Sequence, residues 1–124
     1  MSKIPAAVAW VPVVERRVRS EPAFAEGLLE EAVQALIDND IPLARNLMRH
    51  VIKGTIGYRD LADETGFPEK SLIRMFGPAG NPTAKNLFAV VDCVRRRAKI
   101  ELTVRAVRGA GAKRTTRKAA RRAA

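Results

Sequence analysis

From residue 22 onward, apolar positions recur with helical spacing. In EPAFAEGLLEEAVQALI, Phe24, Leu28, Ala32 and Leu36 stand four apart, with Glu26, Glu30 and Glu31 elsewhere. Residues four apart share one helix face, so this spacing predicts an amphipathic helix over Pro22–Ile37. The DND at 38–40 interrupts the pattern. Asp40 can cap a second helix that begins around Ile41 and Pro42, because its carboxylate accepts from the free N–H groups of the first turn. Leu43, Leu47 and Val51 then form the buried face, and Gly54 and Gly57 bracket a short connection. Further on, GPAGNP is a turn by composition. Asn81 and Pro82 are predicted as the N-cap and first residue of a helix through TAKNLFAVVDCVRRR, where Leu87, Val91 and Val94 keep helical spacing. At residue 100 the period changes to two. In IELTVRAV, Ile100, Leu102, Val104 and Ala106 alternate with Glu101, Thr103 and Arg105, which predicts a half-buried strand over 100–107. One strand cannot satisfy its own backbone, so pairing with the same strand of a second copy is expected. Ile100, Leu102 and Val104 would then lie at a homodimer interface.

Between these elements lies YRDLADETGFPEKSLIRMFG, residues 58–77. Leu61 is followed by Thr65, Phe67, Leu72 and Met75 at separations that let two short helices bury facing sides at a steep angle, while Ala62 and Gly66 allow close approach and a tight turn. Phe67 can plug the junction, and Pro68 can start the second helix without losing a hydrogen bond. Thr65 is the weak member, since an aliphatic residue would pack better there. On spacing alone, this stretch fits both a DNA-reading helix-turn-helix and a plain helical hairpin. One helix before it and one after it complete the small bundle in which the first normally sits.

Composition narrows the class. A chain of 124 residues with 47% hydrophobic content suits one modest domain. The single cysteine, Cys93, excludes a disulfide framework, and no Cys/His cluster has metal-ligand spacing, so no cofactor is expected. Pro5 and Pro12 interrupt the apolar N-terminus, no cleavage site follows, and no run approaches the roughly 20 apolar residues of a membrane span. A cytoplasmic setting is expected. Charge is distributed unevenly. Residues 1–54 hold seven Lys/Arg against seven Asp/Glu, 55–92 four against five, and 93–124 twelve against one, so the net +10 is almost wholly C-terminal. Such asymmetry fits a polyanion partner, nucleic acid above all, although a basic tail can also be merely solvated.

From residue 17 to 107 the chain resembles Xre/Cro-repressor-type helix-turn-helix regulators, and among them the host-inhibition-of-growth (HigA-like) antitoxin branch. The resemblance rests on EPAFAEGLLEEAVQALIDNDIPLARNLMRHVI, on GTIGYRDLADETGFPEKSLIRMFGPAGNPTAKNLFAVV and on the final IELTV, and it spans about three quarters of the sequence. GPAGNPTAKNLF after KSLIRMF is its most specific part. It implies a DNA-binding repressor, commonly of its own operon, and in many members neutralisation of a RelE-like ribonuclease toxin. The expected fold is thus all-α: a five-helix, lambda-repressor-like domain over 21–107 with a short C-terminal β-strand. An N-terminal arm (1–20) precedes it, and a disordered basic tail (108–124) follows.

With Leu72 and Met75 inward, Lys70, Ser71 and Arg74 point outward from the second helix of the quoted stretch, the part that would enter a major groove. Arg74 or Lys70 could donate to guanine O6 and N7, and Glu69 could accept from cytosine or simply favour the helix start. Tyr58, Thr55, Asn81 and Lys85 are candidate phosphate donors, joined by Arg95, Arg96 and Arg97, which equally fit a solvated helix end. His50 and Cys93 read as packing residues. No phosphate loop or catalytic constellation accompanies them, so enzymatic activity is not expected. Two rival functions remain. One is a toxin-neutralising protein whose main task is protein binding, and the other is a nucleoid-type protein that binds DNA without sequence preference through its tail.

Overall fold

The computed structural model describes residues 6–109, with side chains from residue 13 on. These residues form six helices, one more than expected: α1 (Ala6–Ser20), α2 (Pro22–Ile37), α3 (Ile41–Gly54), α4 (Gly57–Thr65), α5 (Glu69–Met75) and α6 (Ala84–Arg97). None is long and apolar enough to cross a membrane. The basic tail, beyond Gly109, lies outside the described residues.

The additional helix is α1, in the stretch expected as an arm. Val14 and Val18, one turn apart, are buried together with Ala25 of α2. Gly54, at the end of α3, lets the two backbones meet: a Cβ there would stand 2.6 Å from Val18 Cβ and 2.9 Å from the Glu15 carbonyl oxygen. α1 packs on α2 and α3, and its helix runs through Pro12. At the junction, the Arg17 guanidinium lies 4.1 Å from the Phe24 ring centroid and pairs with Glu21 at 3.1 Å, across the corner into α2.

The α2–α3 break forms as expected, with detail added. Asn39 takes a left-handed φ of 63°, the Asp40 amide donates to the Ala35 carbonyl at 2.7 Å, and the Asp40 carboxylate accepts from the Leu43 amide at 3.4 Å. The buried faces are rotated by about one residue from the expected ones. On α2 they are Ala25, Leu29, Ala32 and Ala35, with Phe24, Leu28 and Leu36 only half-buried. On α3, Ala44, Met48, Val51 and Ile52 are fully buried, while Leu43 and Leu47 are half-exposed. Both helices have neighbours on two sides, so the stripe that counts is wider than a single row of positions four apart. Small residues on α2 allow close approach of α1 and α3. The main core gathers Leu29, Met48, Ile52, Leu61, Leu72, Phe76, Val90 and Val94.

Two expectations near the end of the domain are corrected. The cap of α6 is Thr83, whose hydroxyl accepts from the Asn86 amide at 3.2 Å, so Asn81 and Pro82 belong to the preceding loop. No strand occurs among the described residues, and 100–107 has no regular structure. Lys99 turns left-handed (φ 58°), and the Ile100 amide donates back to the Arg95 carbonyl at 2.8 Å, the double-bonded C-terminal closure that ends a helix abruptly. Ile100 and Leu102 then pack on the core, and the chain runs beside Glu30, Val33, Gln34 and Ile37 of α2. A helix cannot supply the ladder hydrogen bonds that would make this segment a strand.

Candidate nucleic-acid interface

α4 and α5 are short helices joined across Gly66, Phe67 and Pro68. Gly66 closes α4 with φ 83° and donates to the Ala62 carbonyl at 2.9 Å. Thr65, which looked out of place, serves the turn. Its hydroxyl donates to the Leu61 carbonyl at 2.7 Å and accepts from the Phe67 amide at 3.3 Å, so one side chain ends the helix and fixes the next peptide. Pro68 stands at the cap of α5, one residue before its first helical position, and Phe67 is half-buried against the core.

α5 is held from the inside by Leu72 and Phe76, both fully buried, with Met75 half-buried. Its outer side carries Glu69, Lys70 and Arg74, all exposed, with Ser71 half-buried at the edge. Ile73, absent from the expected site, is 48% exposed beside them. The sequence signal for it was its place off the Leu72/Met75/Phe76 stripe.

The loop after α5 folds tightly onto the end of that helix. A Cβ on Gly80 would fall 2.1 Å from the Met75 carbonyl oxygen and 2.5 Å from that of Arg74. Two arginines of α3 fasten the loop: Arg45 donates to the Gly80 carbonyl at 3.0 Å and Arg49 to that of Phe76 at 3.4 Å. Asn81, next in the chain, is thereby exposed near the C-terminal end of α5, and Lys85 is exposed on the first turn of α6.

Other expected donors are turned inward or paired within the chain. The Thr55 hydroxyl bonds the Val51 carbonyl at 2.6 Å. Tyr58 is half-buried against the core, and burial pushes its phenol up to about 12. Arg95 and Arg96 each pair with Asp92 at 2.9 Å. Arg97 reaches across to α4, to Glu64 at 2.6 Å and Asp60 at 3.1 Å. It therefore bridges two of the three carboxylates of α4, Asp60 and Glu64, and leaves Asp63 outside the pairing. Glu64 also accepts from the buried Cys93 thiol at 3.3 Å; burial first, then that bond, push the thiol up to about 11, so it stays protonated near neutrality. The structure thus brings Glu69, Lys70, Ser71 and Arg74 onto one surface, leaves Asn81 and Lys85 open, and engages Tyr58 and the three arginines within the fold. No family model, curated protein or solved structure matches this chain.

Proposed function

We propose that this protein is a sequence-specific, double-stranded-DNA-binding transcriptional regulator of the Xre/Cro helix-turn-helix type, with α5 as the helix inserted into the major groove. The observation that carries the reading is the division of α5. Leu72 and Phe76 are wholly in the core, while Lys70 and Arg74, one turn apart, stand in solvent. In a helix-turn-helix the second helix meets base edges with side chains from its early turns. Lys70 and Arg74 have the donors that guanine O6 and N7 accept, and Ser71 can bond either acceptors or donors. Glu69 accepts from cytosine or favours the helix start. Asn81 and Lys85 supply phosphate contacts. The antitoxin-like branch makes autorepression the natural role, with a RelE-like toxin as protein partner.

One motif reads one half-site, so the regulator acts as a homodimer. Ile37, Val104 and Val107 are large apolar side chains left exposed, at 56%, 78% and 67%, along the seam between α2 and residues 102–107, and a second copy would cover them. Sedimentation of the full chain as a monomer at micromolar concentration would remove the dimer from this reading.

The function is tested by selecting duplexes from a random pool with the full chain, then footprinting DNA upstream of its own gene. One enriched sequence motif is expected. Arg74→Ala should cost about 1–3 kcal/mol on that motif and little on random DNA. Equal losses on both would mean that α5 does not read sequence.

A further inference from the structure

We infer that Ile73 is a specificity residue that selects thymine through its 5-methyl group; the inference rests on the reading of α5 as the groove-inserted helix. Leu72 on this seven-residue helix and Phe76 at its C-cap satisfy the core, and Ile73 is the helix's one exposed large apolar side chain, at 48%. Single exposed apolar residues are ordinary on a protein surface. The position of this one is not neutral. It follows Glu69 by four residues and Lys70 by three, so it stands one turn beyond them on neighbouring rows of the helix, and it directly precedes Arg74. A branched hydrocarbon is thus set among the long polar side chains that would reach base edges.

The major-groove edge of DNA offers one apolar feature, the C5-methyl of thymine. An isoleucine pressed on any other base edge covers amino or carbonyl groups that it cannot bond, and those groups lose their water without replacement. Against thymine it buries a methyl group on each side. Lys70, three residues earlier, remains free to donate to an acceptor on an adjacent base pair. The two contacts together would read two steps of the site, one by charge and one by shape.

The experiment takes the motif enriched from the random pool and resynthesises it with each thymine replaced singly by deoxyuridine, which removes only the methyl. Binding of the full chain is measured for the wild type, Ile73→Ala, Ile73→Val and Arg74→Ala. For wild type, one thymine per half-site should be sensitive, with affinity falling about fourfold, the equivalent of ~0.8 kcal/mol for one buried carbon. Ile73→Ala should bind the thymine and deoxyuridine duplexes equally. Ile73→Val, which keeps the branch, and Arg74→Ala should both retain the sensitivity. Thermal melting of each variant checks folding, and Ile73→Val keeps the test open if Ile73→Ala melts early. An enriched motif without a sensitive thymine, or a sensitivity that persists in Ile73→Ala, would overturn the role of Ile73 while leaving α5 as the reader. A pool that yields no enriched motif would overturn the regulator reading itself and this inference with it.

Discussion

Gly66 and Gly80 flank α5 and are glycine for different reasons, which substitution separates. Gly66 needs a left-handed φ of 83° and has open space around it, so Gly66→Ala should cost about 1 kcal/mol and Gly66→Asn less, since asparagine tolerates that conformation. Gly80 faces fixed carbonyl oxygens, so Ala and Asn should both cost about 1–3 kcal/mol, with no advantage to Asn. Urea midpoints for the four variants decide it, and a rescue of Gly80 by Asn would count against the steric account. His50 carries a pH prediction. It is buried on α3, and burial first, then the nearby Arg49 charge, lower its pKa from 6.5, with Lys53 acting in the same direction and the Glu15 carboxylate opposing them from 3.9 Å. Below about pH 6.5 the unfolded chain therefore binds a proton that the folded chain resists, so stability is full above that pH and falls as pH drops toward the folded value. His50→Gln should flatten the fall of the urea midpoint as pH drops below about 6.5; an unchanged slope would assign the titration elsewhere. At this scale the sequence made the division of α5 legible, because Leu72 and Met75 fixed its inner side. It could not reveal the packing of Tyr58 or the partners of Arg97, since contacts 37 residues apart, such as Arg97 with Asp60, depend on helix placement.

Helices were legible where periodicity and caps agreed. α2, α3 and the helical pair around Gly66 follow from spacings of four and from Asp40, Gly66 and Pro68. α1 was not legible: residues 1–20 read as an arm, although Val14 and Val18 already stood one turn apart, because the surface they pack on is not visible in the sequence. That surface is α3 at Gly54, and it makes a test. Gly54→Ala would force its Cβ to 2.6 Å from Val18 Cβ and 2.9 Å from a Glu15 carbonyl, so α1 must lift away. A loss of about 1–3 kcal/mol is expected. Amide exchange should rise most in residues 13–20 and least in α4–α6, because the main core does not include Val14 or Val18. Uniform acceleration would show instead that α1 is integral to the whole bundle. The segment 100–107 erred in the opposite direction. Its alternation is genuine, yet a period of two describes only which side chains share a side, and a strand exists only beside another strand.

Across the whole molecule, charge is the property that decides how DNA would be held. On the face proposed for DNA, Lys70, Arg74 and Lys85 are open, whereas Arg95, Arg96 and Arg97 already face carboxylates of the same chain. Six further Lys/Arg follow Gly109. Each phosphate neutralised adds about 0.9 to the slope of log affinity against log salt. Removal of residues 110–124 should therefore flatten that slope by as much as about five units and weaken all duplexes alike, leaving the ratio between enriched and random DNA nearly intact. Replacing Arg95, Arg96 and Arg97 together by alanine should flatten it by clearly less than the ~2.7 units of three free cations, because an exchange of one carboxylate for one phosphate releases fewer counterions. The same variant should also make α4 more repulsive to DNA by exposing Asp60 and Glu64. Affinity titrations over a salt series measure both slopes. A full three-cation effect from the arginine triplet would mean that its ion pairs open on binding. Loss of the ratio as well as the affinity on tail removal would assign specificity to the tail and reduce α4 and α5 to a scaffold, the nucleoid-type alternative.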